Sequence, residues 1–223
     1  MTTPAEAFRQ QRQRLLEAVL QEVPFEGWTT AALIAGGRAL GLSPAEAANL
    51  FPGGMAEVLE VWHAAADEGM VAALEATDLT GLRLHERVAL AVRLRLEQQA
   101  GRREAVRAAL AFLANPLHAP LAMRCGYATV DAIWRAVGDR STDLSFYTKR
   151  AMLAALYSAT VLYWLNDRSP GSAETWAFLD RRLADLMRLP RVTAALDRLV
   201  ARLPNPFLLR PRAPRGWGQP RYD

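Results

Sequence analysis

Apolar residues recur at helical spacing along most of the chain, and no stretch alternates strictly between apolar and polar residues. This pattern predicts an all-α fold. The clearest helix start is Ser43-Pro44-Ala45-Glu46, which combines a capping box with proline at the first helical position. Pro24 sets the expected end of the first helix at residue 22. The predicted helices cover residues 4–22, 30–41, 44–50, 55–76, 82–99, 102–114, 117–137, 143–165, 172–189 and 191–203.

These helices fall into four regions. Residues 1–54 form a three-helix head in which a Gly-Leu-Ser-Pro turn separates two short helices, as in a helix-turn-helix. Residues 55–190 form a larger helical bundle, residues 191–203 an amphipathic helix, and residues 204–223 a tail rich in Pro and Arg that is predicted to be disordered. A small head followed by a larger bundle resembles the layout of TetR-like regulators.

The distribution of charge argues against DNA binding by this head. The net charge is +4, yet residues 39–82 carry seven acidic and no basic residues, whereas residues 83–223 carry 23 basic and 12 acidic ones. The predicted third helix offers Glu46 and Asn49 among mostly small residues. A recognition helix needs cationic and amide side chains that contact phosphates and base edges. We therefore predict a degenerate head and no nucleic-acid partner.

No catalytic, metal or cofactor motif is complete in the sequence. Glu60 and His63 have the Glu-x-x-His spacing of a di-iron bundle, but that site needs a second such pair. His85 and His118 are not preceded by Glu at this spacing. Phosphate loops, dinucleotide fingerprints and paired cysteines are also missing. The sequence predicts a protein that is not an enzyme and holds no metal or cofactor.

The cysteine content and the first 22 residues give expectations about the cellular compartment of the protein. Cys125 is the only cysteine, so an internal disulfide is impossible and a reducing compartment is expected. The first 22 residues are charged and amphipathic, without the apolar stretch of a secretory signal. We expect a bacterial cytoplasmic protein that lies peripherally on the cytoplasmic face of the inner membrane.

One block of sequence carries a family resemblance. Gly-Asp-Arg-Ser-Thr-Asp at 138–143 is followed by Phe-Tyr-Thr-Lys-Arg-Ala at 146–151, Asp-Arg-Ser-Pro at 167–170 and Glu-Thr-Trp-Ala-Phe-Leu-Asp-Arg-Arg at 174–182. The chain resembles the accessory lipid-binding proteins of coenzyme Q (ubiquinone) biosynthesis, which have a TetR-like fold. The similarity runs from about residue 15 to residue 203 and is densest between residues 132 and 182.

The resemblance implies a pocket for a phospholipid or an isoprenoid-quinone intermediate within the bundle. The predicted helix 143–165 places aromatic side chains beside many alanines, a composition that suits a pocket and equally suits a packed core. The resemblance favours the pocket. The predicted lining residues are Trp134, Met152, Leu156, Tyr157, Tyr163 and Trp176.

The resemblance also implies a partner, the di-iron hydroxylase that acts on demethoxyubiquinone. By the family pattern this enzyme docks on Trp134, Asp139, Asp143, Phe146, Tyr147 and Arg150. Family members often carry Trp where this chain has Phe146, so the aromatic anchor is kept and an indole donor is lost. A homodimer is expected from the TetR-like layout.

The predicted helix 191–203 has an apolar stripe opposite a cationic face, which suits an anionic membrane surface or packing on the bundle. The resemblance favours the membrane, with contacts from Val192, Leu196, Arg198, Leu199, Val200 and Arg202. Together these features predict a non-enzymatic protein that presents quinone intermediates to the hydroxylase. A TetR-type ligand-sensing regulator and a general lipid carrier remain alternatives.

Overall fold

The structure is a computed structural model that describes residues 3–138 and 144–187, with the side chains of residues 144–146 and 187 left out. The described part is helical and contains no strand, which confirms the predicted all-α class. The helices are α1 (Pro4–Glu26), α2 (Thr30–Ala39), α3 (Pro44–Leu50), α4 (Gly54–Glu75), α5 (Leu84–Glu97), α6 (Arg103–Leu113), α7 (Ala119–Ala136), α8 (Leu144–Asn166) and α9 (Ala173–Met187).

The helix starts follow from local capping. Ser43 accepts a hydrogen bond from the backbone of Glu46, and the Glu46 carboxylate accepts one in return from the Ser43 backbone at 2.8 Å. Thr3 and Glu6 close the same reciprocal box at the start of α1. These bonds satisfy backbone N–H groups that a helix start otherwise leaves open. The predicted start of α3 is confirmed.

The predicted end of α1 at residue 22 is wrong. The helix continues through Pro24 to Glu26 and ends at Gly27, whose N–H bonds to the carbonyl of Val23. Proline removes one backbone hydrogen bond, but here the loss falls in the last turn. Val23 is buried, so packing against the core holds that turn in place.

The buried apolar residues form two clusters. The first joins α1, α2, α3, the first half of α4, α6 and the start of α7. The second joins the second half of α4, α5, the second half of α7, α8 and α9. The helices α4 and α7 pack against each other and contribute to both clusters. Residues on the middle turns of α4 and α7 therefore lie where the two clusters meet.

Close packing within the first cluster depends on glycine. A Cβ added at Gly36 would lie 2.8 Å from the backbone N of Val19, so α2 meets the backbone of α1 at this point. At Gly37 an added Cβ would lie 2.8 Å from the Cβ of Ala47 in α3. Because neither glycine has a side chain, α2 can pack closely against both α1 and α3. This explains the Gly-Gly pair in the sequence.

None of the described helices is long and apolar enough to cross a membrane. The apolar stretch 151–166 belongs to α8, which contributes Leu153, Leu156, Val161, Trp164 and Leu165 to the second cluster.

Replacement of Gly36 by alanine tests the packing of α1 on α2. We expect Gly36→Ala to lower the free energy of unfolding by about 1–3 kcal/mol, because the clash is with backbone that cannot turn away. The matched control is Gly126→Ala in α7, where an added Cβ meets nothing within 4 Å. That variant is expected to gain about 0.5–1 kcal/mol from helix propensity. Urea titration of both variants measures the difference, and equal stabilities would contradict the assignment.

Candidate ligand cavity

A cavity of about 370 Å³ lies between α4, α5, α6, α7 and α8. Its size falls within the range of small-molecule sites in proteins, and most of its wall is aliphatic or aromatic. The lining residues are Trp62, His63, Arg95, Leu96, Gln99, Val106, Ala109, Leu110, Leu113, Ala114, Ala122, Cys125, Gly126, Tyr157, Ser158, Val161 and Leu162.

A buried ion pair fixes the α4–α5 side of this cavity. Arg95 of α5 is 4% exposed, and its Nε donates to Oδ1 of Asp67 in α4 at 2.7 Å. The Thr129 hydroxyl of α7 donates to the same carboxylate, at 2.9 and 3.0 Å from its two oxygens. Arg95 Nη2 also lies 3.5 Å from Nδ1 of His63. The guanidinium on the cavity wall is thus already neutralised by a carboxylate behind it.

The surroundings of the cavity favour neutral side chains. Burial, with a smaller contribution from the charge of Arg95, lowers the pKa of His63 to about 3, so its imidazole is neutral at physiological pH. Burial raises the pKa of Cys125 to about 11 and keeps it as a thiol. The pKa of Asp67 is raised, because burial outweighs the attraction of Arg95. These groups suit holding a ligand rather than attacking one.

Two polar atoms on the wall lack a hydrogen-bond partner among the described residues. They are Nε1 of Trp62 and Oε1 of Gln99, and both side chains are buried. Trp28 stacks on Trp62 with ring centroids 5.4 Å apart, and its own Nε1 donates to the carbonyl of Ala105 at 3.2 Å. Trp134 Nε1 likewise finds no partner within residues 3–138 and 144–187, but Trp134 is not a lining residue.

The six residues predicted to line a lipid pocket lie in different parts of the helical bundle. Tyr157 lies on the cavity wall. Leu156 and Trp176 belong to the second apolar cluster, and Trp134 packs partly buried against it. Tyr163 stacks on Phe178 at 4.6 Å between ring centroids. Met152 is half-buried on α8.

The residues predicted to dock a partner enzyme also differ in their exposure and contacts, and some lie outside the described residues. Tyr147 is 68% exposed, and the Lys149 ammonium lies 5.8 Å from the centre of the Trp134 ring. Arg150 is 7% exposed and donates from Nε and Nη2 to Asp131 of α7, at 3.0 and 2.6 Å. The Arg150 guanidinium therefore joins α8 to α7. Asp139 and Asp143 lie outside the described residues, as does the side chain of Phe146.

The residues predicted to contact a membrane are likewise outside the described part of the chain. They are Val192, Leu196, Arg198, Leu199, Val200 and Arg202. Within the described part, no group of three His, Cys, Asp or Glu side chains is arranged to hold a metal ion. Glu60 instead accepts a hydrogen bond from Arg124 at 3.0 Å, and His63 faces Arg95.

Sequence reasoning missed most of the cavity wall, including His63, Arg95, Gln99 and all of α6. Arg95 carried a usable signal, since it occupies the same helical stripe as the buried residues Val88, Ala91 and Val92. A cation within an apolar stripe predicts a buried ion pair. No sequence signal indicated that α6 lines the cavity, because its alanines and leucines would suit any apolar core.

Comparison with known proteins identifies relatives of the chain. Residues 119–190 match the family model COQ9. The chain is 36% identical over 182 residues to the mitochondrial ubiquinone biosynthesis protein COQ9 of Drosophila melanogaster, covering 80% of this chain and 56% of the relative. It is 35% identical over 191 residues to the COQ9 protein of Homo sapiens, covering 82% and 60%. The chain thus spans a little over half the length of these relatives.

A solved structure shares the fold. The TetR transcriptional regulator from Nitrosomonas europaea superposes with a TM-score of 0.65 at 21% identity, covering 78% of this chain and 97% of that one. This confirms the predicted TetR-like fold. The resemblance to the coenzyme Q family is likewise confirmed by the COQ9 matches.

The expected location in a bacterial cytoplasm is wrong by the same comparison, because the matched relatives are named as mitochondrial proteins. The expectation relied on the charged first 22 residues. In the structure residues 4–22 belong to α1, whose Leu15, Leu16, Val19 and Leu20 are buried in the first cluster. Their pattern reflects a core helix and carries no information about the compartment.

The pKa of His63 predicts a pH dependence of stability. Between its ordinary value of 6.5 and about 3, the unfolded chain binds a proton that the folded protein excludes. The free energy of unfolding must therefore fall as the pH drops through this window, by up to about 2 kcal/mol between pH 6.5 and pH 5.

Urea titrations of wild type and His63→Gln at about pH 7 and about pH 5 measure this effect. The variant is expected to lose less stability than wild type on acidification. Asp67, whose raised pKa acts in the opposite direction, is present in both proteins, so its contribution largely cancels in the comparison. An identical loss in the two proteins would refute the role of His63.

Proposed function

From its homology to the COQ9 proteins, we propose that this chain acts in ubiquinone biosynthesis as a non-enzymatic protein that binds isoprenoid-quinone intermediates. It presents them to the di-iron hydroxylase of demethoxyubiquinone. The observation that carries the proposal is the mostly apolar cavity, because two of its walls, α7 and α8, lie within the stretch that matches the family. The relatives named above are ubiquinone biosynthesis proteins.

The physical need for such a protein follows from the ligand. Each buried CH₂ of an isoprenoid tail favours an apolar environment by about 0.8 kcal/mol, so the tail stays in the bilayer unless a protein offers a comparable site. Leu110, Leu113, Val161 and Leu162 offer one on the α6–α8 side of the cavity. Burial lowers the pKa of His63 to about 3 and raises that of the Cys125 thiol to about 11, so these two lining residues are uncharged at physiological pH, which supports a binding role.

The proposed hydroxylase surface is centred on the start of α8. Tyr147 supplies an exposed aromatic side chain, the type that most often anchors an interface. The Asp131–Arg150 ion pair holds this end of α8 against α7, so the aromatic group is presented on a fixed surface. In the proposal, residues 191–203, for which the sequence predicts an amphipathic helix, keep the protein at the membrane from which the quinone is taken.

A ligand-sensing transcriptional regulator is the second candidate, and the TetR-like fold is the observation that favours it. The surface of α3 opposes it. Its exposed side chains are Pro44, Ala45, Glu46, Ala48 and Asn49, with no cation among them. A recognition helix of this composition would repel phosphate and release no counterions. A gel shift with DNA from its own upstream region distinguishes the two candidates.

The quinone profile of a strain lacking the gene tests the proposed function. Mass spectrometry of the lipid extract is expected to detect little ubiquinone and accumulated demethoxyubiquinone. Complementation with Ser158→Phe should restore less than a tenth of the wild-type effect, because a phenyl group at this exposed rim position of the cavity excludes several CH₂ groups of the tail. Ala155→Phe, equally exposed on α8 but not a lining residue, is the matched control and should complement fully. A normal profile in the deletion strain would remove the proposed role.

The docking surface is tested by pull-down of the hydroxylase. Tyr147→Ala is expected to reduce recovery of the enzyme about tenfold or more, as loss of an aromatic anchor does at other interfaces. Phe25→Ala removes an aromatic side chain that is 85% exposed on α1 and serves as the control. Circular dichroism of both variants should match wild type. Undiminished recovery by Tyr147→Ala would exclude this surface.

A further inference from the structure

Two polar atoms of the cavity wall have no hydrogen-bond partner in the part of the chain that the structure describes. Trp62 Nε1 can only donate and Gln99 Oε1 can only accept. Their side chains are 6% and 5% exposed, and both line the cavity. Burial of an unpaired polar group is unfavourable, so such groups are rare unless something else satisfies them. The bonded indole of Trp28, stacked on Trp62, demonstrates that this core can pair a tryptophan where the fold alone requires it.

The charge of the wall restricts what the two atoms can bind. Arg95 is the only cation among the described lining residues, and Asp67 already holds it at 2.7 Å. His63 carries no charge at physiological pH. A phosphate buried beside these groups would meet no unpaired cation, and burial of an unpaired charge is strongly unfavourable. The ligand head that fits this wall is therefore neutral.

We propose that Trp62 and Gln99 determine the specificity of the cavity for a neutral head group that both accepts and donates a hydrogen bond. Trp62 Nε1 donates to an oxygen of the head, and a hydroxyl of the head donates to Gln99 Oε1. A hydroxylated isoprenoid, a phenol with an apolar tail or the reduced (quinol) form of an isoprenoid quinone has this chemistry, whereas the oxidised quinone can only accept and would pair with Trp62 alone. The tail lies against Leu110, Val161 and Leu162. The inference rests on the proposed function, since it assumes that the cavity takes an apolar ligand.

Three probes with one carbon skeleton separate the head group from the tail. Farnesol carries a hydroxyl, farnesene carries no polar head, and farnesyl phosphate carries a charged one. Retention of each radiolabelled probe by the full chain on gel filtration gives its dissociation constant. We expect farnesol to bind at least about fivefold more tightly than farnesene, the contribution of one typical hydrogen bond. Farnesyl phosphate should bind more weakly than farnesol.

Two variants assign the preference to the two residues. Gln99→Met and Trp62→Phe are each expected to reduce the preference for farnesol over farnesene about fivefold. The ratio of the two affinities corrects for any change in cavity volume. Gln98→Met makes the same substitution at the neighbouring, exposed position and should retain the preference. Without ligand, Gln99→Met should unfold at the same or a higher temperature than wild type, because it removes an unpaired buried group.

The outcomes separate this inference from the proposed function. If farnesol binds but both variants keep its preference over farnesene, or if farnesyl phosphate binds as tightly, the specificity assignment is overturned and the lipid-binding role survives. If none of the three probes binds to wild type, both are overturned. Loss of the preference in both variants, with Gln98→Met unaffected, supports the assignment.

Discussion

The buried contact between Asp67, Arg95 and Thr129 is the interaction on which the rest of the bundle depends. It joins α4, α5 and α7 where the two apolar clusters meet. A buried ion pair adds little net stability over an apolar substitute, but loss of one partner leaves an uncompensated charge. The contact therefore contributes mainly to the arrangement of the helices and little to net stability. It fixes the relative positions of three helices and leaves the cavity wall beside it electrically neutral.

Further arginines hold the α8–α9 connection against α6. Arg103 donates to the carbonyl of Asp167 at 2.6 Å and to the hydroxyl of Ser172 at 2.5 Å, and its guanidinium lies 4.6 Å from the centre of the Trp164 ring. Arg107 donates to the carbonyl of Leu165 at 2.7 Å. These bonds satisfy polar groups at the end of α8 that would otherwise lack a partner. The basic charge of the second half of the chain is thus partly structural.

Some of the motifs that carry the resemblance to the COQ9 proteins lie in this connection and shape it. In the stretch 167–170, Asp167 accepts hydrogen bonds from the backbone of Ser169 and Thr175 and from the Thr175 hydroxyl, and these bonds hold its pKa well below the usual range. Trp176 donates to the carbonyl of Gly171 at 2.8 Å. These residues shape a turn and begin α9. The residues that carry the family resemblance therefore shape this corner of the fold.

The sequence by itself determined the helical class and most helix boundaries, because capping boxes and apolar periodicity are encoded within a few neighbouring residues. Its motifs also carried the resemblance to the COQ9 proteins. Only the tertiary structure decided that α1 passes Pro24, since packing of Val23 compensates for the missing backbone bond. It also decided which aromatic residues face the cavity. Tyr157 does and Trp176 does not, although both lie in apolar helices. That choice depends on how each helix is rotated against distant neighbours, and periodicity along one helix carries no information about it.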